Sequence, residues 1–120
     1  MHPSSQTEEE GARIMNDILK EEDPPTAIFC ANDCTALGVL RSFNKFRRKN
    51  YLPSVIAIDN IRKSAKTSPM LTTIDIPKQE LAHFALLLLL DQQKKAHKEC
   101  VRIELPCRLI ERESCTYAPW

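Results

Sequence analysis

Apolar residues along this chain fall into two patterns: stripes with helical spacing and short unbroken runs. Gly11, Ile14, Met15, Ile18 and Leu19 make the first stripe. Thr7 and Glu10 precede it at capping-box spacing, in which the hydroxyl accepts from a free helix N–H and the Glu reaches back. The helix is expected to stop near Glu22, because Pro24-Pro25 cannot continue it. The run "TAIFCA" follows and reads as a short strand covered on both faces, since it lacks alternation. A second stripe, Ala36, Leu37, Val39, Leu40, Phe43 and Phe46, predicts a helix from about Cys34 to about Lys49. Asn32 and Asp33 stand at its start, and both are N-cap types.

Pro53 opens "SVIAI", a second strand, so strand, helix and strand form a βαβ unit with parallel strands and a right-handed crossover. Both strands then end at one edge of the sheet. One ends in Asn32-Asp33 and the other in Asp59-Asn60. Ligands of open α/β sheets bind beyond that edge, and an amide beside a carboxylate can hydrogen-bond a polyol or a purine edge. Turn chemistry alone is the competing account of Asp59-Asn60.

"IRKSAKTSPM" reads as a loop and "LTTIDI" as a third strand. Pro77 suits the first turn of a helix over about Lys78 to Lys94. Its stretch "LAHFALLLLL" is apolar on every side, which predicts burial on more than one face, against another subunit or another part of the protein. "KKAHKE" is a polar connector. "CVRIEL" alternates as a last strand, Pro106 breaks it, and "CRLIERES" forms a further extended segment. The tail "CTYAPW" has little to pack with.

Composition narrows the chemistry. The chain has 120 residues, 42% hydrophobic and 28% charged, with a formal net charge of +1. That suits one folded domain and gives no bulk attraction to nucleic acid. The basic cluster in "RSFNKFRRKN" reads as a helix C-terminus, where positive charge suits the dipole. Gly11 and Gly38 are the two glycines, so neither Gly-rich nucleotide fingerprint can be built.

Five cysteines, Cys30, Cys34, Cys100, Cys107 and Cys115, give an odd count. With no basic start or apolar leader, the chain reads as cytoplasmic with reduced thiols. The longest apolar block is too short for a membrane span. Cys30 and Cys34 lack a second ligand pair at metal spacing, so no metal or cofactor is expected. His83 reads as a partly buried helix residue with no motif linking it to a cysteine, and no enzyme chemistry is expected.

Four segments carry a resemblance. "PPTAIFCANDCTALGVLR", "LPSVIAIDNI", "SPMLTTIDIPKQELA" and "RIELPCRLIERESC" resemble, in order and spacing, the lactose-repressor/galactose-repressor (LacI/GalR) family over about residues 6–115. The resemblance implies a partial type I periplasmic-binding-protein-like fold, α/β, with a mostly parallel sheet flanked by helices. In it, 1–70 belongs to the C-terminal subdomain, 71–98 crosses to the N-terminal subdomain, and 99–120 supplies closing strands and tail. Members clamp a small effector, usually a sugar, sugar phosphate or purine. They form homodimers and bind operator DNA through a helix-turn-helix domain, which is expected to lie outside this chain.

By the same likeness, Asn32 and Asp59 are the effector contacts, while Asp33 serves mainly as the helix cap. Cys34, Leu37 and Arg41 match a dimer face. Ala57, Ile58, Ile76 and Ala82 depart from the family's usual Gly, aromatic, Gln and Gly, which argues against a sugar face stacked at Ile58. The expected function is the effector-sensing and dimerisation portion of a regulator. The alternative is a truncated sugar-binding protein of the same fold from a transport system.

Overall fold

The computed structural model describes residues 6–94 and 98–117. Helix α1 spans Glu8–Ile18. Thr7 caps it, its Oγ1 accepting from the Glu10 N–H at 3.3 Å. Three glutamates fill the first turn, where negative charge complements the dipole. The helix closes before Glu22, because the Lys20 and Glu21 N–H groups donate three residues back, to Asp17 and Ile18. Such bonds tighten the last turn and end it.

Strand β1 is Ala27–Phe29, helix α2 is Asp33–Lys45, and strand β2 is Ser54–Asp59. Helix α2 ends short of Lys49, since Phe46 leaves the helical region at φ −120°, ψ 45°. The basic triplet therefore lies beyond the helix. Arg48 donates instead to the main-chain oxygens of Glu21 and Glu22. A 3-10 turn at Ser64–Lys66 leads to strand β3, Thr72–Asp75. Helix α3 is Lys78–Gln93 and strand β4 is Arg108–Ile110.

The four strands form one sheet in the order β1-β2-β3-β4. β1 and β2 run parallel, with Phe29 opposite Ile56. β2 and β3 also run parallel, with Ala57 opposite Thr73 and Asp59 opposite Asp75. The chain divides into two compact units, Met1–Asp75 with Leu109–Trp120, and Ile76–Arg108. β3 pairs with β2 and so sits in the first unit.

In the first unit α2 packs on β2 and α1 packs on α2. Met15, Cys30, Ala36, Val39, Leu40, Phe43, Val55, Ala57 and Leu71 form the core. Both glycines lie where the helix backbones touch. A Cβ on Gly11 would stand 2.0 Å from the Thr35 oxygen, and one on Gly38 would stand 1.9 Å from the Glu8 oxygen. The opposite sheet face carries Phe29, Ile56, Ile58 and Ile74, residues that share a side by register. Phe29 is 62% exposed. The apolar strands are thus covered on one face within this unit rather than on both.

The closing segment is stitched across the strand starts. Ser114 is buried; its Oγ donates to the Val55 oxygen at 2.6 Å and accepts from the Thr72 N–H at 2.7 Å. The tail docks further than expected, because the Thr116 N–H donates to Ser54 Oγ at 3.1 Å.

The second unit contradicts one expectation and leaves the burial of α3 to surfaces outside this chain. No residue of α3 is buried within the chain, and Leu86 and Leu89 are 56% and 62% exposed. α3 is this unit's one helix among the described residues, so the unit offers it no apolar surface of matching size. Residues 101–105 form no strand despite their alternation, since no neighbouring strand pairs with them. The middle of the polar connector, 95–97, and the last three tail residues lie outside the described residues. No described helix is long and apolar enough to cross a membrane.

Candidate functional site

The carboxyl ends of β1, β2 and β3 bring Asn32, Asp33, Asp59, Asn60, Thr73 and Asp75 to one edge of the sheet. The helix cap falls on Asn32 and not on Asp33, where it was expected. Asn32 is the N-cap: its backbone is extended at φ −151°, ψ 165°, and its Oδ1 accepts from the Thr35 N–H at 2.8 Å. Its Nδ2 donates to the Gln6 main-chain oxygen at 3.1 Å.

Asp33 is not the cap. It is the first helical residue, and its fully buried side chain turns toward β3. Oδ1 accepts from Thr73 Oγ1 at 2.5 Å. Oδ2 accepts from Ser64 Oγ and from the Ile61 N–H at 2.9 Å. A carboxylate at zero exposure is tolerated when hydrogen bonds fill its lone pairs, and three do so here. Asp33 thereby ties the start of α2 to β3 and to the turn after β2.

That turn is unusual in its backbone. Asp59 has φ 130° and Asn60 has φ 51°, both in the region that disfavours side chains. The Asn60 N–H donates to Thr73 Oγ1 at 3.3 Å, and the Ile61 N–H is held by Asp33. Positive φ at two successive residues swings the chain out of the strand while Asp59 stays half-buried beside Asp75. The Asn60 side chain donates through Nδ2 to Asp75 Oδ1 at 3.0 Å and accepts at Oδ1 from Arg112 Nη2 at 2.7 Å.

Ser64, Thr73 and Arg112 were not singled out as site residues from sequence. Thr73 and Arg112 stand within the quoted "LTTIDI" and "RLIERES" segments, so the signal was present in the motifs. Their partners lie 31, 40 and 52 residues away in the chain, beyond the reach of periodicity.

Cys34 is half-buried, Leu37 is buried, and Arg41 is exposed with a guanidinium nitrogen 3.6 Å from Glu8. Leu37 is largely enclosed by its own unit, so Cys34 and Arg41 are the two of the three that offer surface. Cys30 is buried, and desolvation first, then the Asp33 charge, pushes its thiol up to about 11. Such a thiol stays protonated at neutral pH and is no nucleophile. No group of three metal-ligating side chains occurs among the described residues.

A cleft of about 360 Å³ opens at the other end of the strands, lined by Phe43, Asn44, Arg47, Leu52, Pro53 and Glu113 among others. Two of its walls are already committed. Asn44 donates to the Ser68 oxygen at 2.6 Å, and Glu113 accepts from the Met70 N–H at 2.9 Å.

Comparison with known proteins agrees with this geometry. A family model described as the periplasmic binding protein-like domain matches residues 1–115. The HTH-type transcriptional repressor PurR of Photorhabdus laumondii is 36% identical over 115 residues, covering 93% of this chain and 33% of that protein. The chain thus spans about a third of the length of the curated relatives it matches. A LacI-type regulator structure from Bacillus cereus subsp. cytotoxis superposes with TM-score 0.82 at 28% identity, over 92% of this chain and 39% of that one. A LacI family regulator from Enterococcus faecium, solved with bound ribose, gives TM-score 0.76 at 31% identity, over 93% and 41%. With its parallel sheet, its polar strand ends and a match over 115 of its residues, the chain belongs to the periplasmic binding protein-like domain family, as an effector-binding domain of the LacI type.

Proposed function

We propose that this chain senses a small polyhydroxylated effector, a sugar or sugar derivative, as part of a transcriptional regulator. In that role it would act as a homodimer and meet operator DNA through a domain outside these 120 residues. The observation that carries the reading is Asp59, a half-buried carboxylate at a strand's carboxyl end on a positive-φ backbone. Unfavourable backbone geometry is kept where a side chain must be aimed. A carboxylate there accepts from two sugar hydroxyls, each charge-assisted bond adding roughly 1.5–3 kcal/mol. Asn32 contributes through Nδ2, exchanging the Gln6 oxygen for a ligand oxygen while Oδ1 keeps the cap.

Regulators from Enterococcus faecium and Enterococcus faecalis were solved with ribose and one from Arthrobacter with lactose, which supports a sugar over other polar ligands. The repressor names of the sequence relatives favour a regulator over a transport protein. Calorimetry with D-ribose and lactose tests the reading. The native chain should bind one of them, and Asp59→Ala should weaken that binding at least tenfold. Equal affinity in the two proteins sinks the assignment of Asp59.

A further inference from the structure

The chain leaves its first unit after Asp75 and returns to it at Leu109. One side chain, Asn60, hydrogen-bonds beside both crossings. Its Nδ2 donates to Asp75 Oδ1 at 3.0 Å, on the last residue before the exit. Its Oδ1 accepts from Arg112 Nη2 at 2.7 Å, three residues after the return. Arg112 is itself fixed on β3. Its Nη1 donates to the Leu71 oxygen at 2.8 Å and its N–H to Thr72 Oγ1 at 2.9 Å. An amide presents a donor to a carboxylate through its nitrogen and an acceptor to a guanidinium through its oxygen, so the flanking charges set its orientation. Asn60 is also the residue next to Asp59, on the same positive-φ turn.

We infer that Asn60 is a positioning residue: it holds the outgoing and returning strands at one spacing and couples that spacing to the turn that aims Asp59. The coupling to an effector rests on the reading of Asp59 above; the clamp itself does not. A ligand that draws on Asp59 shifts the Asn60 turn, and both connecting segments then shift together, because the Asn60 amide bonds to a residue of each.

Hydrogen exchange on the 120-residue chain tests the clamp without any ligand. Asn60→Asp sets a carboxylate against Asp75, and exchange should rise together at residues 72–76 and 109–112 while 33–45 stays unchanged. Asn60→Asp combined with Asp75→Asn restores the complementarity, since the amide at 75 then donates to the carboxylate at 60. That pair should return both segments to native exchange. Faster exchange confined to residues 59–61 in the single variant overturns the clamp, as does failure of the pair to restore protection. For the coupling, D-ribose affinity by calorimetry should fall about tenfold in the single variant and recover in the pair. Unchanged affinity in the single variant overturns the coupling. A native chain that ignores D-ribose sinks the proposed sugar reading and the coupling with it, while the exchange result still decides the clamp.

Discussion

Gly38 on α2 lies against the main-chain oxygen of Glu8 on α1, so close that a methyl group on its Cα would stand 1.9 Å from that oxygen. Gly11 makes the reciprocal approach to Thr35. The obstacle in both cases is backbone, which cannot rotate aside. Gly38→Ala is expected to force the helices apart and destabilise the domain by about 2–3 kcal/mol, within the range of overpacked cores. Urea denaturation followed by circular dichroism reads this directly. A midpoint equal to the native one would show that the crossing is looser than the structure has it.

The two residues at the start of α2 can be told apart by substitution. Asn32→Ala removes a cap and should cost about 1 kcal/mol. Asp33→Ala strands Thr73 Oγ1, Ser64 Oγ and the Ile61 N–H, and should cost roughly 3 kcal/mol or more. The same denaturation series compares them. Equal losses would mean that Asp33 acts only at the helix end.

Here lies the limit of what could be read from the sequence. Thr7 was recognisable as a cap because its partner Glu10 is three residues away, and the β1-α2-β2 unit because its periods are local. Which of two adjacent cap types does the capping depends on which one is still extended, and a partner on β3 decided that by drawing Asp33 inward. The alternation at 101–105 misled for a related reason. Pattern reports what a segment is able to bury, while burial requires a neighbour.

The exposed leucines make self-association the expected behaviour of the isolated chain. Leu86, Leu87, Leu89 and Leu90 are 41–62% exposed, and contiguous exposed apolar residues mark association surfaces. Sedimentation should show a mass that rises with concentration, and Leu86→Lys with Leu89→Lys should shift it toward monomer. A concentration-independent monomer in the native chain would refute this.

Cys30 gives the fold an alkaline limit. Its folded value of about 11 lies above the ordinary 9.0, so the unfolded chain ionises first as pH rises. The contribution is full below pH 9, falls between pH 9 and 11, and is gone above, amounting to about 3 kcal/mol across that window. Cys30→Val should flatten this part of the stability profile. Thermal melts from pH 8 to 11 on both proteins measure the difference.

The backbone at Asp59 has a consequence for selection. At φ 130° the local preference of the chain is for glycine, and Asp59→Gly should relieve backbone strain of about 1 kcal/mol or more while deleting the carboxylate and its interactions. A screen for thermal tolerance and a screen for response to a ligand would therefore push this one position in opposite directions. Homologues bred only for robustness would drift toward a well-folded protein that no longer answers to anything.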